Sequence, residues 1–117
     1  MNTTSRIDRH ASEAAILMRV LSELNATRRA GGDTYLPIRE IAQLADTADS
    51  PAVRSRASRE LDAFEGPRVD RLIDALRLAR AANDSEAIAE MIDELEVASE
   101  LAISPRVRAQ AAYAIAC

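Results

Sequence analysis

The chain has no lysine and no tryptophan. It has one histidine (His10), one cysteine (Cys117), three glycines and three aromatic residues (Tyr35, Phe64, Tyr113). Each shortage excludes something. A single cysteine builds no intrachain disulfide, so nothing calls for an oxidising compartment. His10 and Cys117 stand at opposite ends of the sequence. They supply neither a metal-ligand cluster nor a nucleophile with a base in reach. Three glycines provide no glycine-rich phosphate loop and few hairpin turns. Aromatic residues and valine, which favour strands, are scarce. No apolar run approaches the roughly 18 residues of a membrane span. Met1 to Arg9 is polar and lacks the apolar centre of a signal peptide. The expectation is a cytoplasmic protein without catalytic residues, metal or cofactor, and not an enzyme.

What is present favours helix. The 117 residues include 24 alanines and many leucines and isoleucines. Arginine provides all 15 basic residues. With the alanine content, this points to a GC-rich bacterial or phage genome. The length suits one all-α domain over 1–117, with residues 1–4 as a disordered N-terminus.

Periodicity and punctuation predict a compact bundle of about six helices in antiparallel hairpins. Helix 1 spans about Ser5 to Arg29, with Ile7, Ala11, Ala14, Met18, Leu21 and Leu24 on one face, widened by Ile16, Leu17 and Val20. Gly31-Gly32-Asp33 ends it. The second runs from near Pro37 to Ala48 and buries Ile38, Ile41, Ala42, Leu44 and Ala45. The third opens at Ser50-Pro51, a serine cap followed by a first-turn proline, and buries Val53, Ala57, Leu61 and Phe64. Gly66-Pro67 is expected to break the chain and start the fourth, with Val69, Leu72, Ile73 and Leu76 inward. Asn83-Asp84-Ser85-Glu86 caps the fifth, with Ile88, Met91, Ile92, Leu95, Ala98 and Leu101 inward. Ser104-Pro105 opens the sixth.

One internal echo stands out. Ser50-Pro51-Ala52-Val53-Arg54 with Ala57 matches Ser104-Pro105-Arg106-Val107-Arg108 with Ala111, at an offset of 54 residues. At that offset Ile38 meets Ile92, Ile41 meets Leu95, and Leu61 meets Ile115. Repeat units at 36–65 and 86–117 would follow from a true duplication. Chance agreement between two capped amphipathic helices is the competing explanation. The run from Ser50 to Ala57 resembles the second helix of a HEAT repeat, and Ser104 to Ala112 resembles it too. That resemblance implies an α-helical scaffold that binds partners through helix faces. The spacing exceeds the roughly 40–47 residues of HEAT units, and two copies fall short of the usual three. A bundle with a duplicated HEAT-like hairpin fits better than a solenoid.

A second resemblance competes. Ile38-Arg39-Glu40-Ile41-Ala42-Gln43-Leu44-Ala45 followed by Ser50-Pro51 and Val53-Arg54 resembles a helix-turn-helix transcriptional regulator. This resemblance implies a recognition helix in the major groove. Arg54, Arg56 and Arg59 would meet phosphates or bases, and Ser50, Ser55 and Ser58 would add phosphate contacts. The segment Asp46 to Asp49 lengthens the turn and sets acids near a DNA backbone, and no wing follows Phe64.

The net charge of −4 excludes a general attraction to nucleic acid. Charge is concentrated instead. From Ala81 to Glu100 there are seven acids and no base. Asp84 and Glu86 suit a helix start, whereas Glu96 and Glu100 oppose the helix dipole. The leading expectation is a small non-enzymatic adaptor or inhibitor. Glu86, Glu90, Asp93, Glu94, Glu96 and Glu100 would dock a basic or nucleic-acid-binding protein, as in a phage or bacterial anti-defence factor. Nucleic acid is a partner only under the helix-turn-helix alternative. The apolar breadth of helix 1 leaves room for a homodimer.

Overall fold

The computed structural model describes residues 2–117, and side chains from Arg6 onward. The chain is all-α, with five helices among the described residues: α1 (Asn2–Ala30), α2 (Tyr35–Thr47), α3 (Pro51–Ala81), α4 (Ser85–Leu101) and α5 (Pro105–Ala116). Helix α1 packs on α2, and α4 packs on α5. The expected disorder of 1–4 falls mostly outside the description: Met1 is not described, and of 2–4 only the helical backbone is. Two units divide the chain, Met1–Leu61 and Asp62–Cys117.

Five helices replace the expected six because Gly66-Pro67 does not break α3. Proline inside a helix removes one N–H and costs about 3 kcal/mol. The buried positions explain why the helix continues. Val53, Ala57 and Leu61 are buried in the first unit, and Val69, Leu76 and Ala79 in the second, so packing holds helical backbone on each side of 66–67. Pro67 itself is exposed, so its ring displaces no core residue.

In the first unit Leu17, Val20, Leu21 and Leu24 of α1 are buried, as are Ile38 and Ile41 of α2 and Val53, Ala57 and Leu61 of α3. This corrects the expected face of α1. Ile7, Ala11, Ala14 and Met18 are exposed. The buried stripe is the one that begins at half-buried Glu13 and steps through Leu17, Val20 and Leu24. Helix α2 starts at Tyr35, two residues before Pro37, and Pro37 is buried. In the second unit the core comprises Val69, Leu76, Leu95, Val107 and Ala111. Leu72, Ile73, Ile88, Met91 and Ile92 pack against it. Leu101, expected inward, is exposed.

The two units use the same devices at matching positions. Gly31, just after α1, has φ 71°, and Asn83, just after α3, has φ 53°. Both positions need the left-handed backbone that glycine and asparagine tolerate best. Gly32 N donates to Thr27 O at 2.9 Å, and Asp84 N donates to Ala79 O at 3.0 Å. Helix α2 stops at Ala48 (φ −59°, ψ 143°), and α4 stops at Ala102 (φ −60°, ψ 141°). Ser50 Oγ accepts from Val53 N, and Ser104 Oγ accepts from Val107 N, each at 3.3 Å.

Candidate functional site

The polar groups inside each unit are consumed by structure. Where α2 turns into α3, the N–H groups of Asp49 and Ser50 would be orphan donors. Glu13 reaches from α1 and accepts both, at 2.6 and 2.9 Å. Glu65 does the same in the second unit, accepting from Ile103 and Ser104 at 2.8 and 2.6 Å. An arginine closes each corner from the other side. Arg54 Nη1 donates to the carbonyls of Ala48 and Asp49 at 2.6 and 3.1 Å. Arg108 Nη1 donates to those of Ala102 and Ile103 at 2.7 and 3.0 Å. These are charge-assisted bonds, stronger than neutral ones. Asp62 adds a 2.5 Å bond from Ser104 Oγ and an ion pair with Arg106.

This geometry bears directly on the DNA-contact residues read from the sequence. Ser50 is buried and spent on capping. Arg54 is half-buried and spent on carbonyls. Arg56 pairs with Glu60 at 3.2 Å. Ser55, Ser58 and Arg59 are exposed. Three of the six side chains are therefore engaged within the protein.

The acids of α4 are in the opposite condition. Glu86, Glu90, Asp93, Glu94, Glu96 and Glu100 are all exposed. None of the ion pairs of the described residues involves α4. Elsewhere carboxylates are used. Asp49, Glu23, Glu40, Glu60, Asp62 and Asp74 pair with arginines. Glu13 and Glu65 hold corners, Asp33 and Asp84 accept from helix-start N–H groups, and Asp70 accepts from Gln110. Among the described residues, the carboxylates left without a partner are the six of α4 together with Asp8 and Asp46.

Beside α4 lies a groove of about 270 Å³. Phe64, Arg68 and Leu72 of α3 form one wall, and Glu94, Val97 and Leu101 of α4 form the other. Val97 is 55% exposed and Leu101 73%. The groove is not legible in the sequence, where Leu101 falls in the apolar stripe of α4 and Gly66-Pro67 reads as a break in α3. Nor are Glu13 and Glu65 legible as corner acceptors. Their one sequence signal is a lone acid in line with an apolar stripe, 13-17-20-24 and 65-69-72-76.

No group of three or more metal-ligating side chains occurs among the described residues. No helix among them is long and apolar enough to cross a membrane. The thiol of Cys117 is exposed. No family model, curated protein or solved structure matches the chain.

Proposed function

We propose that this is a non-enzymatic protein-interaction module, an adaptor or inhibitor, built on a duplicated HEAT-like helical hairpin and docking a basic partner through α4. One observation carries the reading: six exposed carboxylates on one helix have no partner, while nearly every other acid in the chain is engaged. Glu96 and Glu100 lie near the negative end of the helix dipole, where a carboxylate is unfavourable by about 0.3–1 kcal/mol. Attraction to a basic surface would offset that cost. Exposed charges also raise association rates with an oppositely charged partner.

Reversal of Glu90, Asp93, Glu94 and Glu96 to arginine tests the reading. The folded variant is expected to lose partners that the native chain captures from its host, and native capture is expected to weaken with salt. Capture of the same proteins by both forms, at any ionic strength, removes α4 as the docking element.

A further inference from the structure

We propose that the groove between α3 and α4 seats an amphipathic helix of the partner protein, with apolar side chains filling the groove and arginine or lysine along the flank that faces α4. This rests on the interaction reading above and adds to it the site and the partner's chemistry.

The apolar wall is not demanded by the scaffold. At the recurring offset of 54 residues, Val97 and Leu101 correspond to Gln43 and Thr47 of α2. The first unit makes the same corner, cap and helix ends with polar residues at those positions. The second unit therefore exposes Val97 and Leu101 for a reason other than folding. Exposed apolar side chains grouped on one face mark interaction sites.

The groove's size and charge choose the occupant. A volume of about 270 Å³ lies just under the roughly 300 Å³ at which small-molecule pockets begin. It suits one or two apolar side chains, since a cavity of about 150 Å³ already holds a benzene. Positions 90, 94, 97 and 101 step by three or four along α4, so Glu90 and Glu94 continue the Val97–Leu101 stripe. Glu94 has no ion pair, whereas its counterpart Glu40 pairs with Arg19 at 3.5 Å. An apolar slot continued by unpaired acids complements a helix with apolar anchors and a basic flank. Arg68 is the cation on the facing wall, so the occupant's other flank is neutral or acidic, which sets its direction.

The test uses synthetic helical peptides of about four turns, read by fluorescence anisotropy. One peptide carries a leucine stripe with arginines along one flank. A second has the leucines replaced by serine, and a third has the arginines replaced by glutamine. The protein variants are V97Q/L101T, which transplants the first unit's own residues, and E90Q/E94Q. Circular dichroism and urea midpoints verify that each remains folded. The expected result is binding of the first peptide alone, weakened about tenfold or more, the equivalent of 1.4 kcal/mol, by either variant. If V97Q/L101T binds like the native chain while E90Q/E94Q does not, the groove is overturned and the acidic-helix reading stands. If the first peptide fails to bind, or both variants bind it unchanged, the groove is overturned, and the acidic-helix reading is decided by capture with the charge-reversed chain. If the native chain sediments as a dimer and V97Q/L101T as a monomer, the face joins copies of this chain, and the partner helix is overturned.

Discussion

Glu13 shows how a single carboxylate works in this chain. It accepts from the N–H groups of Asp49 and Ser50, and its pKa is lowered below the ordinary carboxylate value. The main cause is the hydrogen bond from Asp49. Partial desolvation opposes it, and the Ser50 N–H, His10 and Arg9 lower it further. A depressed folded pKa means that the ionised form is preferred in the folded state. Its contribution to stability is complete above the unfolded value of about 4.3 and is lost as pH falls through the folded value. In Glu13→Gln the second acceptor oxygen is replaced by a donor. Urea midpoints are expected to fall relative to the native chain at pH 7, with the difference shrinking below about pH 4. A difference independent of pH between 7 and 3 would show that the carboxylate's charge is not what holds the corner.

At the scale of elements, α3 carries the clearest conflict between local preference and tertiary context. Gly66 and Pro67 are both poor interior helix residues. The helix persists because residues on each side of them, Val53 to Leu61 and Val69 to Ala79, are buried at helical spacing within their own units. Gly66 does not use its freedom: its backbone is helical, and a Cβ placed there meets nothing within 4 Å. Gly66→Ala is expected to stabilise the protein by about 0.5–1 kcal/mol, read as a higher urea midpoint. A destabilised variant would mean that the helix needs glycine at this point. The same element explains what local pattern reading misses. Gly-Pro is correctly read as punctuation, but residues distant in sequence decide whether the chain obeys it. Helix α1 is ambiguous for another reason. Its alanine-rich surface offers two stripes, 7-11-14-18 and 13-17-20-24, and only the packing of α2 distinguishes them.

At the scale of the whole chain, the recurring corner was half legible. Ser-Pro caps are local, so the 54-residue echo can be read from the sequence alone. The glutamates that complete each corner act across 36 and 38 residues and leave no local trace. The acidic character of α4 was legible because charge is counted directly. The groove beside it was not, because it depends on α3 continuing past Phe64. Ile41 and Leu95 occupy equivalent positions, and each is fully buried. Ile41→Ala and Leu95→Ala are each expected to cost about 2–5 kcal/mol, measured by denaturant titration. A cost below about 1 kcal/mol at either site would show that its core is dispensable.

The corner also amounts to a rule for composing chains. It needs a glutamate on one helix and, 36 to 38 residues later, the run x-Ser-Pro-x-Val-Arg. Helix α5, at 105–116, carries the register of 51–62, the opening of a helix that elsewhere continues through Glu65 into another unit. A copy of 63–117 joined after Ala116 would therefore place its glutamate in phase to grip the next Ser-Pro corner. Seen this way, the chain is written in an alphabet of interchangeable segments, and its length is a variable that an engineer can set.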